Sequence, residues 1–349
     1  MSLNIKNLIP MPIRRLKRSL CESLRSAEKW TRDLHDTLLV ANGKIPPGSL
    51  DADLDRRLYH DLPEPCPVGG VICILDGNMR HGGLTDRLRG ILTAYREAKR
   101  AGLPFHIHWT HPFPLTDYLI PASVDWRISD SDLSRSRLNA IAVTADDLSD
   151  FQSLLRIRAA LRSRRRQIHL YTNADSARGE YASLYRELFR PSPALQAVID
   201  RNLRALGQRY WSVSYRFLGR LGDFHDCVEY ALSDAEQNAL LERAAAALSE
   251  ILDSAPRDIH ILVASDSPRF LRYVENLDPR IYIVPGDISH LDLSEGKVVD
   301  DTWMKTFADQ QLIMHAEKVF RMLSPLTYST GFPRFAAEIG DAQFIDRNF

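Results

Sequence analysis

The chain has 349 residues, long for one hydrophobic core and comfortable for two domains, and is 44% hydrophobic and 26% charged, the composition of a soluble globular protein. Its formal net charge is zero, which argues against bulk nucleic-acid binding. Cys21, Cys66, Cys73 and Cys227 are scattered, with no C-x-x-C pair and no clustered histidines, so neither a disulfide framework nor a metal site is indicated.

There is no run of 18 apolar residues, and the basic N-terminus lacks the apolar core and cleavage site of a signal peptide, so a cytoplasmic location is expected. Charge is uneven along the chain. Residues 1–30 hold seven basic side chains against Glu22 and Glu28, a net of +5. Residues 1–60 read as a helical, basic, amphipathic lead-in with Leu16, Leu20, Leu24, Trp30, Leu34 and Leu38 spaced for one face. Arg14, Arg15, Lys17 and Arg18 beside Ile13, Leu16 and Leu20 suit peripheral contact with the inner face of an anionic membrane; a helix packed on the next domain with a wet basic face fits the same pattern.

After the Pro/Gly cluster at 63–70, strands and helices alternate: strand 71–75, helix 84–101, strand 105–109. Residues 110–149, rich in Pro, Ser and Asp, read as long loops at a sheet edge, followed by helix 151–163, strand 168–171 and helix 193–206. A second series begins with strand 210–216 and continues through helix 233–252, strand 259–264, helix 267–276, strand 281–284, helix 303–320, strand 325–328 and a last helix from about 332. This alternation predicts two doubly wound α/β domains, 61–207 and 208–349.

Two seats for an anion stand out. Val71 to Leu75 runs into Asp76-Gly77-Asn78-Met79-Arg80-His81-Gly82-Gly83 and then a helix; Tyr328-Ser329-Thr330-Gly331 likewise precedes a helix. Backbone N–H groups and hydroxyls converge at such helix starts, and two of them imply two nucleotide-binding-type domains facing one cleft. Arg216 ends its strand, where a guanidinium can pair two-pronged with a phosphate or make a surface ion pair. Asp266 ends another, where it can accept from a base or ribose or cap a helix. Asp130-Ser131-Asp132 spells D-x-D but sits among polar loop residues and reads as a solvated loop, and the run from Arg156 to Arg166 reads as a solvated helix end. No Walker loop and no G-x-G-x-x-G turn is present, which disfavours sulfuryl or dinucleotide chemistry.

Taken together, Arg216, Ala264-Ser265-Asp266-Ser267-Pro268, Asp309, Tyr328-Ser329-Thr330 with Arg334 and Glu338, and Gly82 to Leu88 resemble the motifs of the GDP-fucose-dependent fucosyltransferases. The resemblance covers motifs in roughly 71–109 and 210–340. It implies a GT-B arrangement and transfer of fucose from GDP-fucose, as co-substrate, to an oligosaccharide or lipid-linked glycan, with inversion and with neither metal nor cofactor. By the same resemblance Arg216 would hold the β-phosphate, Asp266 the guanine, Ser329, Thr330 and Gly331 the diphosphate, and Gly82 and Gly83 would close over the phosphates. Ser214-Tyr215-Arg216 stands where the family has His-x-Arg, and Phe217-Leu218-Gly219-Arg220 departs from the usual continuation, so another nucleotide-sugar remains the alternative donor and a non-catalytic binder the alternative role. Inversion calls for a base, for which Asp223 in the loop after Arg216 is the first choice and His225 and Asp226 are rivals.

Overall fold

The computed structural model describes residues 11–146, 150–223, 232–288 and 303–349, with side chains from residue 26 onward. Strands β1 (Gly70–Leu75), β2 (Phe105–Trp109), β4 (Ala140–Thr144) and β5 (Gln167–Tyr171) form one parallel sheet in the order β2-β1-β5-β4. Strands β7 (Tyr210–Tyr215), β8 (His260–Ser265), β9 (Ile281–Tyr282), β10 (Lys318–Leu323) and β11 (Gln343–Asn348) form a second, in the order β11-β10-β7-β8-β9, also parallel. The remaining short strands, β3 (Leu119–Pro121) and β6 (Phe189–Pro191), pair antiparallel. The fold is the expected pair of doubly wound domains behind a helical lead-in.

Every residue of β1 and of β7 is buried, because helices cover both faces of a parallel sheet and each face needs an apolar contact. In β1 the residues divide by parity. Val71, Cys73 and Leu75 share a core with Leu88, Ile91 and Leu92 of helix α3 (Leu84–Arg100), while Ile72 and Ile74 pack with Leu54 and Tyr59 at helix α2 (Leu50–Leu58). The two domains meet through aromatic rings. Tyr118 stacks on Phe307 with centroids 4.5 Å apart, and Tyr181 meets Phe335 edge-on at 4.9 Å.

Several expected elements move. Helix α9 (Met304–Met314) stops six residues short of the expected 320, and the strand is β10 at 318–323, not 325–328. Val319 and Phe320 continue the helical spacing from Leu312 and Ala316, and His315-Ala316-Glu317 contains no Gly or Pro, so the sequence carries no stop signal there. The last helix, α10 (Phe332–Gly340), is followed by β11, and the supposed edge loops at 110–149 contain β3 and β4. Helix α5 (Tyr181–Leu188) was likewise not anticipated. Helix α6 (Pro193–Leu206), on the N-terminal side of the expected 207/208 boundary, packs on α9 and β8 of the C-terminal domain.

The lead-in helix α1 (Met11–Ala41) packs on α4 (Asp150–Ala160) through a face beside the anticipated one: Val40 is fully buried and Gln152 donates to Asp33 Oδ2 at 3.1 Å. Trp30, Leu34 and Leu38 are left exposed, at 51%, 40% and 57%. Nor is the basic stretch a solvated helix end throughout. Arg156 is buried and pairs at 2.5 Å with Asp51, itself fully buried and accepting from the Thr144 N–H and Oγ1, while Arg158 pairs with Glu97 at 2.6 Å. The Asp51 bonds fasten α2 to the end of β4 and to α4, and the Arg158 pair fastens α4 to α3.

Candidate functional site

The carboxyl ends of β1, β7, β8 and β10 converge on one cleft of about 600 Å³ between the sheets, where ligands of open α/β sheets bind. Seven cationic and five acidic side chains line it, an excess of positive charge in a protein of zero net charge. Gly82, Gly83, Arg216, Asp266, Ser329, Thr330 and Gly331 all lie on this lining, so the structure brings together residues almost 250 positions apart. Asp223 is not on it.

On the N-terminal side, the loop after β1 turns into α3 at Gly82, whose φ of +68° an L side chain rarely adopts and whose added Cβ would lie 2.9 Å from Asp86 Oδ2. Asp86 in turn accepts from the Gly83 N–H at 3.3 Å, a cap on the start of α3. Behind the loop Arg87 is fully buried. Its Nε donates to the Gly82 carbonyl at 3.0 Å, another nitrogen donates to the His111 carbonyl at 2.7 Å, and the guanidinium lies 5.0 Å from the centroid of the Trp109 ring. The glycine loop is thus clamped from below.

On the C-terminal side, Arg216 follows β7 and pairs with Asp266, which follows β8, at 3.3 Å. Asp266 is buried and also accepts from the Phe217 N–H at 2.7 Å and the Leu218 N–H at 2.8 Å. Burial pushes its carboxyl up, against the pull of the Arg216 guanidinium and those two amides. Leu218 has a φ of +53°, a strained conformation for a branched side chain, and the two amide bonds to one carboxylate hold it there. What Asp266 does in this structure is therefore orient Arg216 and brace the turn after it. A second buried carboxylate lies on the lining: Asp309 on α9 sits 3.1 Å from Lys305, which donates to the Val284 carbonyl at 2.8 Å. Burial raises the Asp309 carboxyl, and Lys305 opposes the rise.

The second anion seat precedes α10. Thr330 Oγ1 accepts from the Phe332 N–H at 3.2 Å, and the Thr330 carbonyl accepts from Arg321 at 2.9 Å, which is itself held by Asp346 at 2.7 and 2.9 Å. Ser329 is exposed to the cleft. The Arg216 carbonyl accepts from the Tyr328 N–H at 3.0 Å, which ties the backbone at Arg216 to the seat. Sequence reasoning missed Arg321, which lies mid-strand and gives no motif signal.

Asp223 is engaged elsewhere. Its Oδ2 accepts from Ser267 Oγ at 2.8 Å and the Arg269 N–H at 2.6 Å, at the start of helix α8 (Pro268–Val274). His225 and Asp226 lie outside the described residues. Asp130 lies 2.6 Å from His108 Nε2 and Asp132 accepts from Ser129 Oγ at 2.6 Å; neither lines the cleft. Among the described residues no group of three His, Cys, Asp or Glu side chains is placed to hold a metal ion.

Two parallel α/β domains with phosphate-seat loops facing one cationic cleft define a GT-B fold. The solved structures most like it in the comparison include NodZ α-1,6-fucosyltransferase soaked with GDP-fucose, with a TM-score of 0.51 and 17% identity over 78% of this chain and 92% of that one. A NodZ structure from Bradyrhizobium scores 0.50 at 16% identity over 77% and 92% of the two chains. A mutant of Arabidopsis thaliana FUT1 in complex with GDP scores 0.52 at 11% identity over 90% and 78%. The chain shares the fold of these fucosyltransferases. No protein-family profile and no curated protein sequence matches it.

Proposed function

We propose that this protein is an inverting glycosyltransferase that moves fucose from GDP-fucose to a hydroxyl of an oligosaccharide or lipid-linked glycan. The observation that carries the reading is the meeting of Arg216 and the Ser329–Gly331 seat with Gly82 and Gly83 of the opposite domain on a single cationic cleft. As the bond to the sugar breaks, negative charge grows on the diphosphate. Arg216 and the amides that open α3 and α10 would stabilise it, being already oriented before reaction. Asp309, also on the lining, suits a base with adjacent N–H donors, as guanine has. Asp223, the first choice for the base, accepts through Oδ2 from Ser267 and Arg269 at α8 and does not line the cleft.

Thermal-shift titration with GDP-fucose, GDP-mannose and UDP-glucose tests the donor. GDP-fucose should raise the midpoint most, and GDP release should require a glycan acceptor; preference for a UDP-sugar would replace the donor, and binding without turnover on any glycan would replace the enzyme by a binder. Because side-chain cations and amides would neutralise the leaving group, activity is expected to survive excess EDTA. Inactivation by EDTA that manganese or magnesium reverses would overturn metal independence.

The lead-in supports a membrane reading for the acceptor side. Trp30, Leu34 and Leu38 form an exposed stripe on helix α1, and residues 1–30, most of them within that helix, carry the net +5. Among the described residues no helix is long and apolar enough to cross a membrane, so contact would be peripheral. In vesicle flotation, binding should require anionic lipid, weaken with salt and vanish when Arg14, Arg15, Lys17 and Arg18 become glutamine. Flotation indifferent to lipid charge would dismiss it.

A further inference from the structure

The geometry points to Arg89 as the side chain with which the N-terminal domain also reads the β-phosphate, adding to the discrimination of a nucleoside diphosphate from a monophosphate that Arg216 supplies. This rests on the donor reading above and adds to it a residue that no motif singled out. Arg89 stands on α3, one turn beyond the glycine loop, yet its guanidinium reaches across the cleft to the opposite domain's phosphate seat. It lies over Gly331. A Cβ placed there would sit 3.4 Å from one terminal nitrogen of Arg89 and 3.6 Å from both Cζ and the other nitrogen.

The backbone at Gly331, with φ of −78°, is open to any residue. What the glycine provides is room, since any side chain longer than a methyl group would take the guanidinium's place. On its own domain Arg89 is aimed by two carboxylates, Asp86 on α3 and Asp175 at 3.0 Å. Its Nε is buried without a hydrogen-bond partner, while the side chain as a whole keeps 20% of its surface exposed. A guanidinium held from behind, resting on the diphosphate seat and reachable from the cleft, is prepared for an anion that enters between it and Ser329. Asp86 and Asp175 each hold one terminal nitrogen of the guanidinium.

The test is calorimetric binding of GDP, GMP and inorganic pyrophosphate to the full chain and to Arg89→Gln. GDP and pyrophosphate should weaken about tenfold to a hundredfold, the range of one charge-assisted hydrogen bond, and GMP by less than about twofold. Asp175→Asn separates binding from bracing. It keeps a neutral acceptor oxygen for the guanidinium while removing a competing charge, and should keep or tighten GDP affinity, whereas equal weakening in both variants would show that Arg89 only fastens α3 to the loop at 175 and would overturn the inference. Should Arg89→Gln fail to fold, Arg89→Lys must still show a reduced GDP-to-GMP affinity ratio, because an ammonium lacks the fork. An unchanged ratio overturns the inference alone; a parent protein that binds neither GDP nor pyrophosphate overturns the donor reading with it.

Discussion

Arg216→Ala should lower kcat/KM for fucosyl transfer by a factor equivalent to about 3 kcal/mol or more of transition-state stabilisation, the cost of deleting one oriented charge-stabilising donor. Arg216→Lys should not restore it. The guanidinium is held 3.3 Å from Asp266, so both its direction and its fork matter. The loss should fall on kcat as well as KM, because charge on the leaving group grows toward the transition state. Steady-state kinetics with the best donor decides this: near-normal turnover in Arg216→Ala would remove Arg216 from the phosphate.

A large stability effect is expected at Gly90. An alanine there would put Cβ 1.9 Å from the Thr172 carbonyl oxygen and 2.8 Å from its carbon, so α3 and the chain leaving β5 would have to separate. Forced overpacking of this kind costs about 1–3 kcal/mol, occasionally more, and backbone on both sides leaves no flexible side chain to yield. A thermal midpoint lower by about 2–4 °C per kcal/mol is the expected readout. GDP affinity should fall with it, since Gly90 adjoins Arg89 on α3. An unaltered midpoint would show that the helix relaxes without cost.

Which parts of this protein were legible in its sequence follows from where the decisive contacts lie. Val71 to Leu75 and Ile261 to Ala264 read as buried strand because a parallel sheet covered on both faces demands apolar residues at every position, a local signature. The start of helix α7 (Asp234–Ser254) was legible too, since Ser233 and Glu236 cap it within one turn. The glycine loop and the seat before α10 were visible for the same reason: a φ of +68° or a run of hydroxyls before a helix is written in neighbouring residues.

Contacts distant in the chain decided the rest. Lys318 to Leu323 is a strand because it fits between β7 and β11, and Ala140 to Thr144 because β5 offers an edge; neither run differs locally from a helix turn or a loop. Asp223 looked placed for catalysis by nearness to Arg216 in sequence, but Ser267 and Arg269, more than forty residues on, claim its carboxylate. The apolar stripe of α1 was real in its spacing, while the side that faces solvent was set by where α4 docks. Arg89 shows the same division: its place on α3 is local, but its position over Gly331 exists only once the two domains close on each other. Sequence determines what each segment is able to bury or donate within a few residues, and tertiary structure determines which distant group receives it, because a side chain's partner is chosen by distance in space.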